Sequence, residues 1–248
     1  MNVAGGAALH LAAGCAGLAE MNLNRKEVLM NRREFAARTS GAACLAAAGG
    51  LWLPGSALAQ AGPVEGKDYV RLQQRQPTQD PKKIEVVEFF WYGCSHCYTF
   101  EPALDAWVKR LPADVNFRRM PVAFREVPFV LHQRLYFALE SMGLVDSLHR
   151  KVFSAMHVEK QKLDTPEAIG EWAAKNGVDR AKFVDALNSF SVQAKAKQAA
   201  ALSAGYKIDG TPALGINGSF YTSGSLAGSP ERALAVTDFL LAQSRKGT

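Results

Sequence analysis

Residues 84–91 (Ile84, Glu85, Val86, Val87, Glu88, Phe89, Phe90, Trp91) are nearly continuously apolar and rich in β-branched and aromatic side chains, which predicts a strand covered on both faces. Glu88 interrupts the run, and an acid inside such a strand demands a reason. Gly93 breaks the strand, and from Cys97 the apolar positions Phe100, Leu104, Trp107, Val108 and Leu111 follow a helical period. A second strand is expected over 115–120, parallel to the first because a helix crosses between them. Upstream, 69–72 reads as a short edge strand followed by a loop through Pro77 and Pro81. The stretch 127–204 is mostly helical. Thr165-Pro166-Glu167 marks a helix start, Asn176-Gly177 an end, Asp179 and Ser191 further starts, and Gly205 a final cap. Strand character returns at 213–216, Asn217-Gly218 is a two-residue hairpin turn, and 219–221 makes the return strand. Ser229-Pro230-Glu231 then opens a last helix running to about 243. The order β-β-α-β, helical insert, β-β-α describes an α/β fold with a mixed central sheet and an inserted all-helical domain. Its parts are expected at 62–126, 127–204 and 205–248.

The first 61 residues break this pattern. They are rich in Ala and Gly, and they carry Arg32 and Arg33, an apolar stretch at 41–53 closed by Pro54, and small-x-small sites at Ala57-Leu58-Ala59 and Ala59-Gln60-Ala61. That arrangement predicts an export signal, too short to span a membrane, with Met30 as the true start. An uncleaved anchor is the alternative. Asn31-Arg32-Arg33-Glu34-Phe35 resembles a twin-arginine signal, and an ordinary Sec signal fits as well. The chain is therefore expected in the periplasm. Its formal charge is +6, but the first 60 residues hold five basic and three acidic groups, leaving 24 and 20 scattered over the remainder. No basic stripe interleaved with aromatics is present, so no nucleic-acid partner is expected.

Export decides how the cysteines are read. Cys15 and Cys44 fall in the leader, and the mature chain keeps Cys94 and Cys97. In an oxidising compartment, two cysteines two residues apart in a chain large enough to fold on its own core point to redox chemistry. The pair sits where a strand turns into a helix, so first-turn amides and the dipole favour a thiolate at Cys94. Cys97, one turn on and turned toward the core, is placed to attack a mixed disulfide formed at Cys94. His96 between them can add charge or a hydrogen bond to the thiolate. A closed zinc site needs four ligands, and His132, His149 and His157 are spread through the helical region, where each reads as a surface or core histidine. A two-cysteine copper module and a purely structural disulfide stay open as alternatives.

The segment Glu88-Phe89-Phe90-Trp91-Tyr92-Gly93-Cys94-Ser95-His96-Cys97-Tyr98-Thr99-Phe100-Glu101-Pro102 resembles the active-site region of DsbA-type thiol:disulfide interchange proteins, and Gly210-Thr211-Pro212-Ala213 resembles their cis-proline loop. The resemblance covers about 68–244 and implies a thioredoxin-like fold. It also implies a periplasmic dithiol oxidase without metal or organic cofactor, which donates its Cys94–Cys97 disulfide to exported proteins with free cysteines. It would be reoxidised by a DsbB-like membrane quinone reductase and act as a monomer. Pro212 would face the cysteines, with Thr211 and Ser95 contacting substrate and the Thr211 backbone pairing with an extended segment. Glu88 or Glu101 would relay the Cys97 proton, although Glu101 can equally be read as a solvated helix-start carboxylate. Trp91 and Tyr92 read as packing, and they can also border a peptide groove. Thr211 departs from the apolar residue of the best-known oxidases and is common in isomerase relatives, so a disulfide isomerase or reductase is the alternative. Gly215, in a strand that favours larger residues, is a second oddity.

Overall fold

The computed structural model describes residues 62–246. The leader features, namely Met30, the twin-arginine pattern, both cleavage sites, Cys15 and Cys44, lie outside the described residues. Among the described residues no helix is long and apolar enough to cross a membrane.

The elements are β1 (Val70–Arg71), β2 (Ile84–Phe90), α1 (Ser95–Val108), β3 (Val115–Pro121), α2 (Phe129–Ser141), α3 (Val145–His157), α4 (Pro166–Lys175), α5 (Arg180–Asn188), α6 (Phe190–Gly205), β4 (Ala213–Ile216), β5 (Phe220–Ser223), α7 (Gly224–Ala227) and α8 (Pro230–Lys246). The sheet order is β1-β5-β4-β2-β3, with β2 and β3 parallel and the other neighbours antiparallel. This is the mixed sheet of a thioredoxin-like α/β fold. β2 lies inside it, every residue buried. Val87 and Phe89 join the core shared with the helices between β3 and β4, whereas Ile84 and Val86 join the one under α1 and α8. Burying each of these side chains contributes about 1.5–3 kcal/mol, which accounts for the strand's lack of polar alternation.

Most helix boundaries fall where the sequence puts them. Thr165 and Asp179 cap α4 and α5 by accepting the amides of Ala168 and Lys182. Two boundaries differ. The N-cap of α6 is Ser189, not Ser191, because the Ser189 hydroxyl accepts the Val192 amide three residues on. Gly205 is the last residue of α6 and not a left-handed cap. Tyr206 keeps a right-handed conformation, and Lys207 takes the positive φ of 57°. The final helix also continues to Lys246, about three residues past its expected end.

The course of Tyr206 explains Gly215. The Tyr206 hydroxyl accepts the Gly218 amide at 3.0 Å, which pins the ring under β4. A Cβ at position 215 would then lie 2.5 Å from Tyr206 Cε1 and 3.0 Å from Phe89 Cε2. Gly215→Ala is expected to destabilise the protein by ~1–3 kcal/mol through overpacking, read as a lower urea midpoint at unchanged slope. An unchanged midpoint would mean that the ring moves aside freely.

Candidate active site

Cys94 is the N-cap of α1. Its extended backbone (φ −85°, ψ 116°) turns the sulfur over the first turn, where it accepts the Cys97 amide at 3.4 Å. The loop before β4 approaches from the other side. The Thr211–Pro212 peptide is cis, and the Cys94 thiol donates to the Thr211 carbonyl at 3.3 Å. Both cysteines are free thiols, Cys94 half-buried and Cys97 fully buried. Hydrogen bonding from the Cys97 thiol, then from the Thr211 side chain and the Cys97 and His96 amides, outweighs partial burial and brings the Cys94 thiol down to about 5. Burial and the neighbouring Cys94 push the Cys97 thiol well up. One turn of helix thus separates a sulfur that prefers to be charged from one that prefers its proton.

The His96 ring is exposed and makes no hydrogen bond to Cys94, so the residue acts on the thiolate through its amide. The ring borders a groove of about 420 Å³ that runs past Thr211 and Pro212 to Tyr221, Leu226 and Pro230. Ser95 is exposed at the start of α1. Trp91 is half-buried, stacked on Phe129 at 4.1 Å and bonded through Nε1 to His132.

Beneath the cysteines lies a charged cluster. The parallel register sets Glu88 on β2 opposite Arg119 on β3. Glu88 is completely buried, and its Oε2 lies 3.2 Å from Arg119 Nε, yet neither carboxyl oxygen makes an aligned hydrogen bond. Burial and the charge of Glu101 hold its pKa well above the ordinary carboxylate range, against the opposing pull of Arg119. Glu101 is 1% exposed, so it is not a solvated helix-start carboxylate. It accepts Arg119 Nη2 at 3.0 Å and faces His149 Nε2 at 3.2 Å. Burial pushes Glu101 up, but these two partners outweigh it and hold the group below its ordinary value. Arg119 also bonds Asp105 at 2.7 Å. The two acids are therefore driven apart, Glu88 toward the neutral form and Glu101 toward the charged one.

Sequence reasoning did not find Arg119, Asp105 or His149. Arg118 and Arg119 did leave a signal, being two cations inside a strand whose parallel neighbour carries Glu85 and Glu88; Arg118 pairs with Glu85 at 3.0 Å. His149 left none. Among the described residues, no three His, Cys, Asp or Glu side chains are grouped to hold a metal ion.

Known proteins resemble this chain in sequence and in fold. A family profile described as "DSBA-like thioredoxin domain" matches residues 85–230. The chain is 42% identical over 180 residues to the thiol:disulfide interchange protein DsbA of Pseudomonas aeruginosa, covering 73% of this chain and 85% of that protein. It is 45% identical over 181 residues to the protein of the same name from Bordetella parapertussis, covering 73% and 86%. The crystal structure of Pseudomonas aeruginosa DsbA superposes with a TM-score of 0.72 at 40% identity, covering 75% of this chain and 96% of that one.

Proposed function

The chain belongs to the family of DsbA-like thioredoxin domains and is a thiol:disulfide oxidoreductase, and from that premise we propose that it donates a Cys94–Cys97 disulfide to exported proteins in the periplasm. The observation that carries this reading is the unequal placement of the two thiols, Cys94 half-buried at the helix N-cap between the Cys97 amide and the Thr211 carbonyl and Cys97 fully buried one turn on, which lowers the first to about 5 and raises the second. A stabilised Cys94 thiolate favours the reduced enzyme, which makes its disulfide a strong oxidant and Cys94 a good leaving group.

A substrate thiolate attacks Cys94 Sγ. The new substrate–Cys94 bond forms as the Cys94–Cys97 bond breaks, and the electron pair passes to Cys97 Sγ. That sulfur lies in a site hostile to charge and takes a proton, for which Glu88 is the source, since its carboxyl is held neutral and lies near enough to Cys97 that in its ionised form it would push the Cys97 thiol up. The substrate's second thiolate then attacks the substrate sulfur and displaces Cys94 as a thiolate, which needs no proton near neutral pH. Glu101 serves as a fixed charge in this scheme and not as a second relay. An extended substrate segment would lie in the groove beside Pro212, paired with the Thr211 backbone and touched by His96 and Ser95.

The chemistry is that of the protein's own disulfide. Reoxidation falls to a DsbB-like membrane quinone reductase, 1–61 serves as the leader, and the chain works as a monomer. The site is built on 62–126 and 205–248, with 127–204 as the helical insert that closes the core above it.

The test is equilibration of the protein with glutathione buffers. The expected result is a disulfide already largely reduced at glutathione ratios that leave an ordinary structural disulfide oxidised. A reducing couple would overturn this reading in favour of a reductase or isomerase, and absence of exchange would point to copper binding or an inert bridge.

A further inference from the structure

His149 on α3 is 3% exposed and touches both the charged cluster and the loop that leads into Cys94. Its Nε2 lies 3.2 Å from Glu101 Oε1, and its Nδ1 lies 2.8 Å from the Tyr92 hydroxyl. A neutral imidazole offers one donor and one acceptor, and a carboxylate takes only donors. The proton therefore sits on Nε2, and Nδ1 accepts from Tyr92. With Arg119 Nη2 on the other oxygen, each oxygen of Glu101 receives one hydrogen bond, and protonating that carboxyl would forfeit one of them. Glu88, at Nε of the same guanidinium, receives none with good alignment.

We infer that His149 is a positioning residue for disulfide exchange: by donating Nε2–H to Glu101 it holds that carboxylate ionised, and the fixed charge keeps the proton of the acid pair on Glu88. The inference rests on the reading above, in which Glu88 supplies the proton that Cys97 Sγ takes when its bond to Cys94 breaks.

The surroundings of His149 leave little else to set its state. From α1 it meets Glu101 and, at longer range, Asp105; from β3 it meets Arg119. The Tyr92 and Tyr136 hydroxyls, from the active-site loop and α2, are pushed up by burial and stay neutral. On its own helix, Arg150 is turned outward to Asp105 at 3.1 Å. Burial keeps the imidazole itself below its ordinary pKa, against the pull of Glu101. A cleft of about 200 Å³ bordered by Tyr98, Glu101, Arg150, Phe153 and Ser154 brings the surface up to the cluster at Glu101, whereas Glu88 is completely buried.

The experiment follows the attack of reduced glutathione on the oxidised protein by stopped flow across pH, in wild type, His149→Phe and His149→Gln. In His149→Phe, Glu101 loses a donor and competes for the proton. The step is expected to slow about tenfold at neutral pH, a fraction of the ~10²–10⁴ that general acid catalysis supplies. Its high-pH limb should move to lower pH, because Glu88 is less strongly repelled and gives up its proton sooner. The Gln amide can still donate to Glu101 and should restore most of both. Titration of the Cys94 thiolate in the reduced variants should stay in place, since none of its donors is His149. An unmoved pH limb in His149→Phe, or equal shifts in the two variants, would overturn the inference while leaving the exchange activity standing. A wild type that does not react with glutathione at all would overturn both.

Discussion

Cys94→Ser is expected to reduce exchange to the uncatalysed background, whereas Cys97→Ser keeps the first half of the reaction and stops there. At pH 7 a thiol with a pKa of about 5 is ~99% thiolate, against roughly 3% for an ordinary cysteine near 8.5. The donors that produce this difference converge on the sulfur of residue 94 alone. Cys97 is buried and raised, so in Cys94→Ser the remaining thiol is neither accessible nor charged. In Cys97→Ser the Cys94 thiolate still attacks a disulfide, but no neighbouring sulfur displaces the partner, and a mixed disulfide accumulates. Mass spectrometry after mixing each variant of the 62–248 chain, which lacks Cys15 and Cys44, with oxidised glutathione separates the cases: one glutathione on Cys97→Ser within the mixing time, none on Cys94→Ser. Equal modification of both variants would contradict the assignment of roles to the two sulfurs.

Much of this was legible in the sequence, and the reasons differ by element. β2 could be read because seven successive buried residues leave no polar alternation, and the helix after it because its apolar residues recur at helical spacing. The placement of Cys94 at the strand-to-helix turn followed from Gly93 and that change of period. The rest needed the register. Glu88 was visible as an anomaly, but only the pairing of β2 with β3 reveals that Arg119 answers it. Glu101 looked compatible with solvent because its position in the helix says nothing about α3, which packs over it and brings His149 within 3.2 Å. Long-range packing also decided Gly215, where the missing side chain makes room for Tyr206 nine positions earlier. His96 was read as a side-chain effect because its ring is the conspicuous feature of the sequence. In the folded chain its amide acts on Cys94, and its ring faces the groove.

The cluster beneath the cysteines carries the second large effect. Arg119→Met should destabilise the protein by ~3–5 kcal/mol near neutral pH, the usual cost of removing one partner from a buried ionic network. Arg119 is the cation shared by Glu88, Glu101 and Asp105, at 3.2, 3.0 and 2.7 Å. A methionine of similar length fills the space but leaves Glu101 with His149 alone. The pH dependence follows from the direction of each shift. In wild type the pKa of Glu101 is depressed, so its contribution is present above the unfolded-state pKa and is lost as pH falls through the lower folded value. In the variant the same carboxyl is buried without its cation, which raises its pKa, so its penalty is relieved as pH falls through that raised value. Both changes narrow the gap between the two proteins on acidification. Urea unfolding at neutral and at mildly acidic pH should therefore show a difference that shrinks toward acid. A difference that stays constant with pH would mean the loss comes from packing and not from charge, and the acids below Cys97 would then have to be neutral already in wild type.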